Sequence, residues 1–334
     1  MGRICKTKKR ISIISHASVG GKEEEDGPLG SHFDFCDSTD LFGQKSFELA
    51  ESEMGRIALN TALSKANLSH ADVDLLVAGD LQNQCVATSV GLSGFGIPFL
   101  GVYGACSTCT ESLLILTSIM DSAENIKLGA AVTTSHNSAA ERQFRTPLEY
   151  GGQRSPTAQW TSTAGGAFLL GRDGGRTKIT EYMPGRVIDG GDSDGSNMGG
   201  CMAFAAADSI ISYFEESGRR PSDFDFIVTG DLGKVGSAVL KDLLCEKLPS
   251  AANFHTDCGL LLYDMERKDV HSGASGCGTS ASVLSSYFLP LLERGEIRRI
   301  LFLSTGALMS PSSLLQGENI YGTAPLIVIE SEAN

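Results

Sequence analysis

The chain lacks a long apolar run. Nothing in its 334 residues approaches the roughly 20 consecutive apolar positions that cross a bilayer. Residues 6–10 are basic, but the apolar stretch at 11–15 is too short for the core of a signal peptide and reads as a strand. Gly2 is not followed by Ser or Thr at position 6, where Lys6 stands, so the N-myristoylation pattern fails. A soluble protein made in the cytoplasm is expected, with any membrane association routed through a partner. Basic charge is also short. A net charge of −13 leaves no easy way to build the dominant basic face that a nucleic-acid partner requires. A paired cysteine framework is absent too. The nine cysteines are odd in number and scattered, which points to a reducing compartment. Cys106 and Cys109 form a lone Cys-x-x-Cys pair. No second Cys/His cluster completes a metal site, and the redox context of such pairs is missing, so they read as core-facing thiols. No metal or cofactor is expected.

What is present is a duplication. The chain is 41% hydrophobic, enough for a large core. Residues 72–81 (DVDLLVAGDL) match residues 223–232 (DFDFIVTGDL) at six of ten positions, 151 residues apart. Each copy is an apolar run of strand length ending in Gly-Asp, as suits a strand buried on both faces. A helical pattern precedes each: Phe47, Ala50, Met54, Ile57 and Thr61 in residues 46–66, and Phe204, Ala207, Ile211 and Phe214 in 203–216. The turn Gly104, Ala105, Cys106, Ser107 opens a helix over 108–122. Its counterpart Gly273, Ala274, Ser275, Gly276 opens one over 279–294. Strands at 128–133 and 167–170 follow in the first half, and at 300–304 and 325–330 in the second. Alternation of this kind predicts an α/β fold of two duplicated halves, residues 1–175 and 176–334, with central mixed sheets and helices in layers. Residues 141–166 and 186–200 read as long loops, and residues 20–30 as a solvated one.

Cys106 is the first candidate for chemistry. It lies between small residues at a strand-to-helix turn, where unpaired N–H groups and the positive helix end favour thiolate. The plainer reading is a small buried cysteine. A nucleophilic thiol needs a base. His16, His32 and His70 fall at element ends and read as solvated, and His255 reads as locally packed or site-facing. His136 directly follows a strand, with Asn137 behind it. His271 stands just before the second turn, so His136 and His271 are the candidate bases. Asp80 and Asp231 end the repeated strands, as site groups or as caps of the next helix. Arg142, Arg145 and Arg154, with Gln143 and Gln153, sit downstream of His136 as anion-binding candidates or surface pairs.

The duplicated unit and the turn at Cys106 resemble the thiolase and ketoacyl synthase superfamily. Residues 25–30 (EDGPLG), 78–81 (AGDL), 104–108 (GACST), 135–137 (SHN), 142–145 (RQFR), 149–153 (EYGGQ), 157–158 and 305–308 (TGAL) together resemble, more closely, the stage V sporulation protein AD family of endospore-forming bacteria. The resemblance implies a thiolase-like fold of αβαβα layers and binding of dipicolinic acid, a flat aromatic dianion, as such or as its calcium salt. It further implies action with membrane proteins of a sporulation channel, a forespore origin, a peripheral place on the spore inner membrane, and the homodimer common to the fold. Condensing enzymes of the superfamily carry a His after the second repeated strand and an Asn or His before the second turn. In our alignment Gly230 and Val270 take those places, with His271 one position off. Cys106 would then lack its partners, which implies binding without catalysis. An acyltransferase that uses Cys106 as nucleophile is the alternative. The implied ligand-binding candidates are Asp80, Cys106, His136, Asn137, Gln153, Asp231 and His271.

Overall fold

The central strands carry apolar side chains on both faces, so each must be covered on both sides. The computed structural model, which describes residues 2–144, 154–267 and 270–332, shows how. Ten strands form one path: β1 (Ser12–Gly20), β2 (Leu75–Gly79), β3 (Phe99–Gly101), β4 (Leu128–Ser135), β5 (Ala164–Gly171), β6 (Thr177–Met183), β7 (Phe226–Thr229), β8 (His255–Asp257), β9 (Arg299–Leu303) and β10 (Leu326–Ser331). Their spatial order is β8-β7-β9-β10-β6-β1-β5-β4-β2-β3. Read outward from the β1/β6 junction, the two sides match. Each has an antiparallel strand (β5 or β10), then three parallel ones (β4-β2-β3 or β9-β7-β8). The junction is an antiparallel pairing of Ser12 with Lys178 and Ile13 with Thr177.

Alternate residues feed different cores. From β9 and β10, Ile300, Phe302, Ile327 and Ile329 point to a central core, while Leu301, Leu303, Leu326 and Val328 point to an outer one. From β2 and β4, Val77 and Ala131 join the central core, while Leu76, Ala78 and Val132 join a second outer core. Between the sheet halves lie helices α2 (Thr108–Ser122) and α6 (Cys277–Val283). They contribute Leu113, Leu116, Met120, Ala281 and Val283 to the central core. Outside lie α1 (Phe47–Lys65) on one half and α4 (Met198–Ser217) with α5 (Gly233–Lys247) on the other. This is the layered, duplicated α/β fold expected. The helix expected over 46–66 is α1, and Ser46 caps it by accepting the Leu49 N–H at 3.3 Å.

Three local expectations fail. Residues 141–144 belong to helix α3 (Asn137–Phe144), and residues 164–166 to β5. Residues 20–30 are not a solvated loop throughout: Lys22–Glu25 forms a helical turn with Glu24 wholly buried. Its carboxyl accepts from Gly21 N, Thr163 N and the Tyr263 hydroxyl, and burial pushes its pKa from the usual 4.5 to about 7. His16 is not solvated either. It lies inside β1, 6% exposed, with Nδ1 2.9 Å from Ser285 Oγ and Nε2 3.3 Å from Glu293. Polar composition in each case hid a buried partner from a distant part of the chain. Among the described residues, no helix is long and apolar enough to cross a membrane.

Candidate functional site

The parallel strands β2 and β7 end on the same side as the turns into α2 and α6, where an α/β sheet forms its crevice. The turn before α2 is tight. Ala105 adopts a left-handed φ of 52°, a strained conformation for a residue with a Cβ. It is held by Ser107 Oγ donating to the Gly104 carbonyl at 2.7 Å, Thr108 Oγ1 donating to the Ala105 carbonyl at 2.6 Å, and Gly104 N donating to Thr108 Oγ1 at 3.1 Å. The second half closes on this turn at Gly306, where an added Cβ would strike the Gly104 carbonyl oxygen. The result presents Cys106 at the N-terminal end of α2, as expected from the sequence.

Its electrostatics are the reverse of those expected. Cys106 is only 6% exposed, and its pKa lies well above that of an ordinary thiol. Burial is the first cause, and the Asp231 carboxyl beside it is the second. Ser275 Oγ, 3.9 Å from the sulfur, and the Gly276 N–H pull weakly the other way. The helix end does not win because the thiol faces a buried acid. Asp231 is wholly buried. It accepts from Thr305 Oγ1 at 2.9 Å, Gly276 N at 2.8 Å and Ser275 Oγ at 3.3 Å. Desolvation raises its pKa from 3.8 to about 7, and nearby Asp257, itself raised to about 6, adds to the shift.

Cys106 and Ser275 line a small, partly open pocket of about 40 Å³. Its walls include Leu81, Glu141, Phe144, Thr161, Met198 and Met309. Glu141 accepts from Thr161 Oγ1 at 3.4 Å and has the Arg154 guanidinium 3.9 Å away. Arg154 stacks over the Trp160 ring with its guanidinium carbon 5.1 Å from the centroid, and donates to the Gln159 carbonyl.

The structure thus joins Cys106 and Asp231 but disperses the other candidates. Asp80 is buried away from the thiol. It accepts from Gln82 N and Thr88 N, each at 2.8 Å, and from Thr88 Oγ1 at 2.7 Å, with a raised pKa beside buried Glu51. His136 is buried. Its Nε2 donates to the Asp40 carbonyl at 2.8 Å, its ring packs 5.2 Å from that of Phe47, and burial lowers its pKa. It does not line the Cys106 pocket, because its strand ends one layer away against α1. Asn137 donates to the Thr161 carbonyl at 2.9 Å and so braces a wall residue. His271 takes a left-handed φ of 49° in the turn before Gly273, and no described hydrogen bond links it to Cys106, Ser275 or Asp231. Gln153 and Arg145 lie outside the described residues. Arg142 pairs with Glu48 at 2.8 Å. His255 packs locally against Thr229 Oγ1 at 2.8 Å, its pKa lowered to about 4 by burial.

Gly230, with no side chain, offers the thiol no partner, and no described hydrogen bond links a histidine to Cys106. Val270 is core, and the residues facing Cys106 are Asp231, one position on from Gly230, and Ser275. Ser275 was legible in the sequence as the counterpart of Cys106. Glu141, Phe144 and Met309 carried no such signal.

Comparisons with known proteins agree with this architecture. The family model for Stage V sporulation protein AD (SpoVAD) matches residues 2–330. The Stage V sporulation protein AD of Bacillus subtilis (strain 168) is 42% identical over 320 residues, covering 96% of this chain and 94% of that protein. Among solved structures, 3-oxoacyl-[acyl-carrier-protein] synthase III from Aquifex aeolicus VF5 aligns with a TM-score of 0.60 at 14% identity. It covers 95% of this chain and 99% of that one. A tetronic acid condensing enzyme aligns with a TM-score of 0.59 at 15% identity over 96% of this chain and all of that one (100%). At such identities these structures share the thiolase-like fold alone.

Proposed function

The chain belongs to the stage V sporulation protein AD family, and from that premise we propose that it is a non-catalytic binding protein that takes dipicolinic acid at the Cys106 pocket. One observation carries this reading: the thiol is held protonated beside a buried carboxyl, with no histidine in hydrogen-bond contact among the described residues. Acyl transfer needs a thiolate and a base to make it. This environment opposes the first and, among the described residues, offers only the carboxyls Asp231 and Glu141 for the second. A pocket that keeps its thiol neutral is better suited to holding a ligand than to attacking one.

Charge refines the ligand. Glu141 in the wall repels a dianion, Asp231 joins it only as it loses its proton around 7, and Arg154 sits against Glu141. Dipicolinate carrying calcium, or a proton, meets less repulsion than the free dianion. On this reading the protein works with membrane proteins of the sporulation channel in moving calcium dipicolinate into and out of the spore, and reaches the spore inner membrane through them. It does so as a homodimer: β3 is the sheet edge, with Phe99 38% and Leu100 42% exposed, and two-fold pairing of that edge would cover both. A monomeric mass in solution would exclude the dimer.

The test is calorimetry of the full chain with dipicolinate, with and without calcium, beside intact mass after incubation with an acyl-CoA. Saturable binding and no adduct are expected. The acyltransferase reading draws on the strained Ala105 turn that presents the thiol at a helix end. A stable acyl adduct at Cys106, lost in Cys106→Ser, would establish it and overturn ours.

A further inference from the structure

As it stands, the pocket at Cys106 is smaller than an aromatic ring, so a ring enters it only when a wall moves. Its 40 Å³ equals room for about three waters at roughly 10–15 Å³ each. Beside it lies an open cleft of about 370 Å³, bounded by Asn83, Gln84, Tyr103, Gln143, Ser310 and Pro311. Two further residues, Phe144 and Met309, line both spaces. They are the wall between them. Both are only partly buried, and Phe144 ends α3.

The last turn of α3 is fastened by contacts at the surface. Gln143 Nε2 donates to the Leu81 carbonyl at 3.1 Å and to Asn83 Oδ1 at 3.0 Å, and Gln143 Oε1 accepts the Asn83 N–H at 2.8 Å. Arg142 adds its exposed pair with Glu48. Each such contact is weak on balance, because water replaces it on opening. The other walls are turns and strand ends, the start of α4 at Met198, and Ala140 and Glu141 one turn earlier in α3. The two compartments also differ in charge. Among the described residues, no Asp, Glu, Lys, Arg or His lines the cleft, whereas the inner pocket has Glu141 in its wall. An anion therefore meets amide and hydroxyl donors first, without repulsion, and carboxylates only further in.

We propose that Phe144 and Met309 form the gate of a two-compartment site, in which the amide-lined cleft is the entry station for a planar carboxylate and Gln143 latches the gate. The identity of that ligand class rests on the function proposed above; the gate does not. Ring-sized ligands reach Cys106 only when the α3 terminus swings off Met309.

Alkylation of Cys106 in the full-length protein tests this without dipicolinate. N-phenylmaleimide supplies a planar ring, iodoacetamide a small control, and peptide mass spectrometry assigns the site. Phe144→Ala should speed N-phenylmaleimide labelling of Cys106 about tenfold, as a gate moving from about 1% to about 10% open would. Gln143→Ala should speed it severalfold, and Phe144→Trp should slow it, with iodoacetamide labelling moved less in every case. Cys277 is wholly buried behind the same floor and reports general loosening. Unchanged Cys106 labelling in both Phe144 variants would overturn the gate, as would Cys277 labelling that rises in step with Cys106. A flat dipicolinate titration with the expected labelling pattern would remove the proposed ligand and leave the gate standing.

Discussion

The two copies of the repeated strand end in the same Gly-Asp, yet the two aspartates live differently. Asp80 turns inward on its own half. It gathers Gln82 N, Thr88 N and Thr88 Oγ1, and shares a buried site with Glu51, whose Oε2 accepts from Gln82 Nε2 at 2.8 Å. Asp231 organises the turn that opens α6 and stands against the Cys106 sulfur of the other half. The turns differ in step. Cys106 and Ser275 are equivalent positions of the duplication, and they meet 3.9 Å apart, one thiol and one hydroxyl. Duplication therefore supplied two matching strand ends and two matching turns. One aspartate went to holding its half together, and the other went to the pocket.

The largest expected effect tests the structural half of that contrast. Asp80→Ala removes the acceptor of three donors, leaving Gln82 N and Thr88 N buried without partners. A loss of about 3 kcal/mol in urea unfolding is expected. Asp80→Asn should cost less, since its amide oxygen still accepts. A near-neutral Asp80→Ala would break the contrast, because Asp80 would then have no more structural role than a surface residue.

The second effect tests the pocket half. The folded Asp231 holds its proton up to about 7, whereas the unfolded one releases it near 3.8. Its contribution to stability is therefore present below about 3.8 and is lost as pH rises toward 7. Asp231→Asn removes this titration. Relative to the parent, the variant should gain stability as pH rises through that window in scanning calorimetry. It also removes the negative charge that, after burial, raises the Cys106 pKa, so Cys106 should alkylate about tenfold faster at mildly alkaline pH. Asp80→Asn should leave that rate unchanged. Equal acceleration in both variants would mean that the two carboxyls act on the thiol alike.

The layered fold was legible because buried strands and amphipathic helices impose periods on the chain, and the period recurs twice. Helix α2 spans the residues read for it, and the repeated apolar runs are β2 and β7. The site was half legible. Cys106, Ser275 and Asp231 are marked by the repeat itself. The thiol's charge state was not, because a helix-end argument sees only local backbone, and the opposing carboxyl arrives from 125 residues away. Glu24 and His16 were misread for the same reason. Their polar character suggested solvent, while Tyr263 and Ser285 were waiting across the fold. Phe144 was marked only as part of the 142–145 segment that carries the resemblance, not as a gate, since a gate is defined by what lies on its two sides.

The smallest effect concerns the pair at the centre of the duplication. Ser275→Ala deletes the hydroxyl 3.9 Å from the Cys106 sulfur. Two consequences oppose each other. The thiolate loses a weak donor, which raises the thiol pKa. Asp231 loses its 3.3 Å donor and keeps Gly276 N and Thr305 Oγ1, so its own pKa climbs and it carries less charge against the sulfur. The first acts directly on the sulfur but across a long contact, and the second acts through a carboxyl that retains two stronger bonds. The net change in Cys106 alkylation should stay within about twofold, or about 0.4 kcal/mol. A tenfold drop would show that Ser275 positions and activates the thiol, and the equivalent residues of the two halves would then form a working pair rather than a symmetric remnant.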